Sequence, residues 1–189
     1  MDRIWLTGFR SYELGVFGTK DPKLTIIKFA IEKILRQSIA NGTEWLITGG
    51  QLGVEQWAIE VAVDLKVEFP GFKIALMTPF KNFGAQWNET NKEKLQQLKQ
   101  QVDFSTSVYQ GDYNNRTQLI SYQQFMLAHT DGGIIFYDDE ATESKARFDA
   151  DIMQQFSKQH DYPIMKIDLD RLQEFANDYQ ETQQLDDFY

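Results

Sequence analysis

Short apolar runs alternate with segments of helical periodicity along almost the whole chain, and this alternation constrains the fold more than any other feature. The four clearest runs are Ile4–Thr7, Trp45–Thr48, Ile74–Met77 and Ile134–Tyr137, each followed by a turn. Such runs are typical of strands buried on both faces, with helices connecting them as βα units. The sequence therefore predicts an α/β fold, a Rossmann-like three-layer sandwich with a mainly parallel sheet, in which these runs are neighbouring central strands.

The remaining segments fit the same plan. Weaker runs at Val102–Val108 and Pro163–Ile167 predict two further strands, and Pro79 is expected to close the third strand. The last element should be a short helix that begins near Leu169. A chain of 189 residues suits one domain. We place that domain at residues 1–180, and the acidic segment 181–189 is a candidate for a disordered tail.

Composition excludes several classes of function. The chain has no cysteine, which excludes disulfides, iron–sulfur clusters and thiol catalysis and is compatible with the reducing cytosol. Its two histidines, His129 and His160, lack ligand-like spacing, so we expect no metal site. The start is too acidic for a secretory signal, and no apolar stretch approaches the roughly 20 residues of a membrane span. The sequence therefore predicts a cytoplasmic protein without membrane association.

The charge balance bears on possible partners. Lysine and arginine total 19 against 28 acidic residues, which gives a formal net charge of −9. Nucleic-acid backbones are bound through cationic surface, so this balance argues against general nucleic-acid binding.

The second run leads into a glycine-rich segment, Thr48-Gly49-Gly50-Gln51-Leu52-Gly53-Val54-Glu55, and an apolar stripe then predicts a helix from about Gly53. Glycines let a ligand approach the backbone, and the N–H groups of a helix start favour an anion such as phosphate. The spacing is neither that of a dinucleotide fingerprint nor that of a Walker loop. A tight turn without a ligand is therefore the alternative interpretation.

Two further residues are candidates for a ligand site. Arg10 follows the first strand, at the edge of the sheet where ligands bind in open α/β folds, and could neutralise a phosphate. An exposed loop arginine is the alternative. Glu55 lies in the first turn of its helix, where its carboxylate could stabilise the helix start or accept bonds from a ribose hydroxyl.

The segment 48–55 resembles the Ser-Gly-x-Ala-x-Gly-Ile-Asp signature of the DprA/Smf proteins, and the whole chain resembles the YpsA family of the SLOG superfamily. That superfamily also holds DprA and the lonely-guy proteins. The matching segments occur in order along nearly the full chain: Thr7-Gly8, Glu13-Leu14-Gly15, residues 50–57, Thr78-Pro79-Phe80, Asp131-Gly132, Tyr137-Asp138 and Tyr162-Pro163-Ile164. The resemblance implies a Rossmann-like fold, a nucleotide-derived ligand and, by analogy with SLOG relatives, a homodimer.

The sequence departs from the lonely-guy phosphoribohydrolases, which carry Pro-Gly-Gly-x-Gly-Thr-x-x-Glu. Here two residues separate Gly50 from Gly53, Val54 replaces the threonine, and Glu55 falls too close to Gly53. Relatives often carry Arg-Asn in the helix before the fifth strand, whereas this chain has Tyr122-Gln123. Their hydrolase activity therefore does not follow from the resemblance, and we assign no catalytic residue.

We expect ten residues, drawn from the glycine-rich segment and the ends of the other strands, to bind the ligand: Thr7, Gly8, Arg10, Gly49, Gly50, Gln51, Gly53, Glu55, Pro79 and Asp138. The leading hypothesis is binding or sensing of a nucleotide derivative, for example an ADP-ribose-like molecule, with occupancy passed to a protein partner. The second is hydrolysis of an N-glycosidic or phosphate bond in a nucleotide. A DprA-like nucleic-acid binder is the third, and the acidic balance disfavours it.

Overall fold

The computed structural model describes residues 1–186 and shows a sheet of six strands, all parallel. The strands are β1 (Arg3–Gly8), β2 (Trp45–Thr48), β3 (Lys73–Phe80), β4 (Phe104–Tyr109), β5 (Gly132–Phe136) and β6 (Ile164–Ile167). Their order across the sheet is β4-β3-β2-β1-β5-β6, so the four clearest apolar runs form the neighbouring strands β3, β2, β1 and β5. The predicted Rossmann-like α/β fold is confirmed.

Helices cover both faces of the sheet. They are α1 (Pro22–Ala40), α2 (Val54–Leu65), α3 (Glu89–Gln101), α4 (Thr117–Ala128), α5 (Ala146–Ser157) and α6 (Leu169–Asp186). Helix α1 contacts α2 and α6, and α2 contacts α3, whereas α4 contacts α5. Because parallel crossovers are right-handed, the connections from β1 to β4 place α1, α2 and α3 on one face, and the reversed connections place α4 and α5 on the other.

The direction of the chain reverses between β1 and β5. Strands β2, β3 and β4 are added on one side of β1, and the chain then returns to pair β5 with its other side. At such a reversal, the loops that follow the two strands run to opposite faces of the sheet. A crevice therefore opens between them at the carboxyl ends of the strands. The fold therefore brings Gly8, Phe136 and the loops that follow them to the edge of a crevice.

Two elements are longer than the sequence predicts. Strand β3 continues through Pro79 to Phe80, because β4 still pairs there whereas β2 has already ended at Thr48, the partner of Leu76. A proline without a neighbour on one side removes no ladder hydrogen bond. Helix α6 extends to Asp186, into the segment where we expected a tail from residue 181, and residues 187–189 lie outside the described part. Within residues 1–186, no helix is both long and apolar enough to span a bilayer.

Candidate functional site

A cavity of about 670 Å³ opens at the carboxyl edge of the sheet, within the size range of small-molecule sites. Its walls carry aromatic and aliphatic side chains from the loops after β1, β3 and β4 and from helices α4 and α5: Tyr12, Phe83, Trp87, Tyr113, Ile120 and Phe148. Such walls suit the flat face of a base or another apolar ligand group.

The floor of the cavity holds two buried carboxyl groups, those of Glu55 and Asp149. The Thr7 hydroxyl lies between them, with Oγ1 at 2.7 Å from Glu55 Oε1 and at 3.2 Å from Asp149 Oδ2. Gln123 Nε2 donates to Asp149 Oδ1 over 2.7 Å. Residues from β1, α2, α4 and α5 thus meet in one hydrogen-bonded cluster, which we call the floor cluster.

Burial sets the electrostatics of the floor cluster. Desolvation raises the pKa of Glu55, and Asp149 raises it further, while Arg10 and the two hydrogen bonds from Gln51 and Thr7 oppose the shift. Desolvation also raises the pKa of Asp149, against the opposing effects of Arg10, Gln123 and Thr7. A carboxyl group with a raised pKa keeps its proton to a higher pH than a carboxyl group in water does. Active sites use such groups as acids.

The Tyr122 hydroxyl is the unusual member of the floor. The side chain is 8% exposed, and its hydroxyl makes no hydrogen bond to any group in the described part of the chain. Desolvation, followed by the nearby Glu55 and Asp149 carboxyl groups, raises the pKa of Tyr122 well above the ordinary value. A Cβ at Gly49 would collide with this hydroxyl and with the Glu55 carboxylate, so the glycine makes the space in which they lie together.

Three backbone N–H groups of the glycine-rich segment donate hydrogen bonds to acceptors within the protein. Gln51 N donates to Glu55 Oε2 over 2.7 Å, and Leu52 N donates to Gln51 Oε1 over 3.0 Å. Val54 N donates to the Phe9 carbonyl over 3.1 Å. The expectation of free N–H groups at this helix start is wrong for these three positions, because two of them donate to side chains of the same segment and the third donates to the loop after β1.

Gly53 lies where two backbone segments pack closely against each other. Its φ is 110°, and a Cβ built there would lie 2.5 Å from the Phe9 carbonyl oxygen and 2.6 Å from the Ser11 amide nitrogen. Arg10 and Gly53 also form an isolated antiparallel bridge. The glycine therefore lets the loop after β1 pack against the start of α2, and its role is close approach of two backbones.

Three cationic side chains line the cavity, those of Arg10, Arg116 and Lys145. Arg10 is half-buried, and its Nη1 donates to the Gly8 carbonyl over 3.0 Å. Arg116 and Lys145 are exposed, and the Arg116 guanidinium lies 5.5 Å from the centre of the Phe148 ring. The rim can therefore neutralise an anionic ligand group that reaches the solvent side.

The structure separates the ten predicted ligand residues into two groups. Arg10, Gly49, Gln51, Glu55 and Pro79 line the cavity, and Thr7 lies directly beneath it in the floor cluster. The others do not line it: Gly8 packs against Phe136, Gly50 against Leu76 and Leu95, and Gly53 against the first loop. Asp138 accepts hydrogen bonds from the backbone of Glu140 and Leu169 and likewise lies outside the lining.

Sequence reasoning missed Asp149, and it named Tyr122 and Gln123 only as the residues that stand in place of an Arg-Asn pair, with no ligand role for either. One available signal was the position of Asp149 on the buried side of α5 between Ala146 and Met153, at helical spacing. A carboxyl group on the apolar stripe of a helix costs free energy unless it has a partner, and so marks a site.

The sequence matches a known protein family over most of its length. The model of the YpsA family, described as the YspA SLOG family, matches residues 4–172. The chain belongs to the YpsA family. The resemblance to this family over nearly the full chain is thereby confirmed, and the match runs from β1 to β6.

Relatives in the YpsA family match the chain over almost its full length. A UPF0398 protein of Leuconostoc citreum is 51% identical over 189 residues, covering 100% of both chains. A UPF0398 protein of Levilactobacillus brevis is 54% identical over 182 residues, and one of Latilactobacillus sakei is 49% identical over 183 residues. The match to the Levilactobacillus brevis protein covers 96% of both chains. The match to the Latilactobacillus sakei protein covers 97% of this chain and 98% of that protein.

Proposed function

We propose that this YpsA-family protein binds a nucleotide-derived ligand in the cavity at the carboxyl edge of its sheet. The observation that carries the proposal is the combination, within one cavity, of aromatic walls, a cationic rim and a buried polar floor. A nucleotide offers a matching set of groups: a flat base, an anionic phosphate and sugar hydroxyls. The position at a strand-order reversal supports the same ligand class, because open α/β sheets bind ligands there.

The proposal includes a sensing role. An ADP-ribose-like molecule is one candidate ligand, and its occupancy would pass to a protein partner. The loops after β1 and β3 and the start of α4 form the mouth of the cavity, so a ligand would alter the surface that a partner contacts. We place this activity in the cytoplasm, which the absence of cysteine favours.

Hydrolysis of an N-glycosidic bond is the second candidate function, and the pair of buried carboxyl groups favours it. Glycosidic hydrolysis uses two carboxyl groups, one of which gives a proton to the leaving group while the other acts as base or nucleophile. Glu55 and Asp149 have raised pKa values and lie on the same floor. Phosphate-bond hydrolysis fits less well, since residues 1–186 show no group of three or more metal-ligating side chains.

One experiment separates binding from chemistry. The protein is incubated with ADP-ribose, NAD, AMP, ADP and GMP, and both the melting temperature and the release of base or phosphate are followed. Sensing predicts a concentration-dependent rise in melting temperature with no product, because a ligand that binds only the folded state stabilises it. Product formation that Asp149→Asn abolishes would support the hydrolase. No rise in melting temperature with any of the five compounds would contradict the binding proposal.

A further inference from the structure

We propose that the floor cluster, with the Tyr122 hydroxyl, is a subsite for the vicinal diol of a ribose ring, so that the ligand is a ribonucleotide bound sugar-inward. The inference rests on the proposed function and specifies which part of the ligand the buried residues contact. It depends on two features of the floor: one carboxyl proton that Glu55 and Asp149 share through the Thr7 hydroxyl, and the unused donor of Tyr122.

The first feature follows from counting protons. The Thr7 hydroxyl has one proton but lies within hydrogen-bonding distance of both Glu55 Oε1 and Asp149 Oδ2. If both carboxyl groups were ionised, one would face a hydroxyl lone pair without a proton between them. If one carboxyl keeps its proton, it donates to Thr7, and Thr7 donates to the other carboxylate. Both contacts are then satisfied, and the pair carries a single negative charge.

The second feature is an unused donor beside unused acceptors. The Tyr122 hydroxyl is buried and without a partner among the described residues, although burial of such a group without a hydrogen bond is costly. It lies next to the Glu55 carboxylate, as the shared collision with a Cβ at Gly49 shows. Carboxyl oxygens retain lone pairs after accepting one hydrogen bond each. The floor therefore offers one donor and several acceptors at nearly the same place.

Sugar hydroxyls match this arrangement better than the other groups of a nucleotide. A hydroxyl both donates and accepts, so two adjacent hydroxyls can donate to the carboxyl groups and accept from Tyr122. An ionised phosphate has only acceptors and would leave the carboxyl oxygens without donors, although Arg10 offsets part of the negative charge of the carboxyl pair. The cationic side chains of Arg116 and Lys145 are exposed, and the phosphate should lie toward them. The cavity thus orients a ribose phosphate with the diol inward and the phosphate outward.

The first test uses the unmodified protein and a matched pair of ligands. Calorimetric titration compares AMP with 2′,3′-dideoxy-AMP, which keeps the base and the phosphate but lacks the diol. We expect AMP to bind at least roughly tenfold more tightly, because the dideoxynucleotide leaves buried polar groups unpaired. Equal affinities overturn the inference and leave the proposed function intact. Absence of AMP binding also overturns it, and binding of ADP-ribose in that case would preserve the proposed function.

The second test removes the donor. Tyr122→Phe keeps the ring of a buried side chain and deletes its hydroxyl, so AMP affinity should fall by roughly tenfold while that of the dideoxynucleotide stays unchanged. Tyr109→Phe, at the exposed end of β4 and outside the cavity lining, is the control and should alter neither affinity. An equal loss for both nucleotides in Tyr122→Phe would show a packing role and contradict a diol contact. The ligand comparison on the unmodified protein decides the question if that variant fails to fold.

Discussion

At the scale of single residues, the buried carboxylate of Glu55 has one structural contact and one proposed ligand contact. The sequence identified it as a helix-start charge or a ribose acceptor, and its buried carboxylate both accepts from the Gln51 amide and faces the cavity. A hydrogen bond inside the loop and lone pairs directed at a ligand are compatible, because each carboxylate oxygen accepts more than one bond.

Replacement of Glu55 by glutamine should separate the two roles. The glutamine oxygen can accept from Gln51 N while its amide donates to Thr7, and Thr7 then donates to an ionised Asp149, so we expect stability to change by less than about 1 kcal/mol. Ligand affinity should fall by about 1.5–3 kcal/mol, roughly ten- to a hundredfold, because a charged acceptor is lost. Chemical denaturation and calorimetric titration measure the two effects.

Glu60→Gln is the matched control on the same helix. Its carboxylate pairs with Lys28 and Lys94 away from the floor, so it should cost about 1 kcal/mol of stability at most and leave affinity unchanged. If Glu55→Gln binds the ligand as tightly as the parent does, Glu55 has only a structural role, through its hydrogen bond with the Gln51 amide. If binding persists and a measured turnover disappears, hydrolysis is the better proposal.

Asp149→Asn should change how stability depends on pH. Burial raises the pKa of Asp149 in the folded state, whereas the unfolded chain titrates near about 3.9. The folded state therefore holds the proton more tightly, and its stability is lost as the pH rises from about 4 through the folded pKa. Asparagine has no proton to lose, so its stability relative to the parent should grow over this range, by about 1.4 kcal/mol per unit of raised pKa.

Urea unfolding of Asp149→Asn between about pH 4 and pH 8 measures this difference. Asp151→Asn, on the exposed side of α5 and paired with Arg147, is the control and should run parallel to the parent. Parallel profiles for Asp149→Asn and the parent would show that Asp149 is ionised throughout this range, and would contradict a raised pKa of Asp149.

The residues of the site were only partly accessible to sequence reasoning. Thr7 lies near the end of a strand, and Gly49 and Glu55 follow one. Parallel topology brings strand ends to one edge, so local patterns sufficed to select these residues. Asp149 lies on α5, which follows β5 and so comes after the reversal of strand order. No local sequence pattern shows that this helix faces β1. Tyr122 lies on an apolar stripe, and its free hydroxyl is a property of its surroundings.

At the scale of elements, the contact between the loop after β1 and the start of α2 depends on Gly53. Gly53→Ala should destabilise the protein by about 1–3 kcal/mol from its positive φ alone, and further from the clash with the Phe9 carbonyl. Gly42→Ala is a matched control, since Gly42 has φ of 94° but nothing within 4 Å of its Cβ position.

Thermal and chemical unfolding of the two alanine variants isolate the clash, because both carry the strain of a positive φ. We expect Gly53→Ala to lose more stability than Gly42→Ala, and to lose ligand affinity because Arg10 and Glu55 shift apart. Equal stability losses would contradict the close approach of the two loops.

The elements themselves were predicted well, because each signal was local. Apolar runs bounded by turns placed the six strands, and Asp21 and Asn88 cap α1 and α3 with side-chain hydrogen bonds typical of helix starts. The errors lie where a neighbour decides the length of an element. Strand β3 passes Pro79 because β4 is still beside it, and that pairing is invisible to a local pattern.

At the scale of the whole molecule, the net charge of −9 predicts negligible binding to duplex DNA at physiological salt. Nucleic-acid affinity comes largely from the release of counterions by basic residues, and this chain has fewer basic than acidic residues, 19 against 28. Fluorescence anisotropy with a labelled duplex at increasing salt measures it. Tight binding that weakens steeply with salt would contradict the prediction.

We also expect a homodimer, by analogy with SLOG relatives. Leu119 and Ile120 on α4 and Phe148 on α5 line the cavity and yet remain exposed, and such apolar clusters on a monomer mark association surfaces, so a second copy bound here would also cover the proposed ligand site. Light scattering measures the mass in solution, and Ile120→Asp should shift a dimer toward monomer. A monomer at all concentrations would contradict this expectation.

The pairing of β1 with β5 has a consequence for synthesis on the ribosome. The first strand of the sheet emerges first, yet its partner on one side begins only at Gly132, and Asp149 follows later still. Until then the nascent chain has an apolar strand with an open edge, which is a template for unwanted pairing. Chaperone demand should therefore be greatest during translation of the middle of the chain, and the proposed ligand site is complete only once α5 closes the floor.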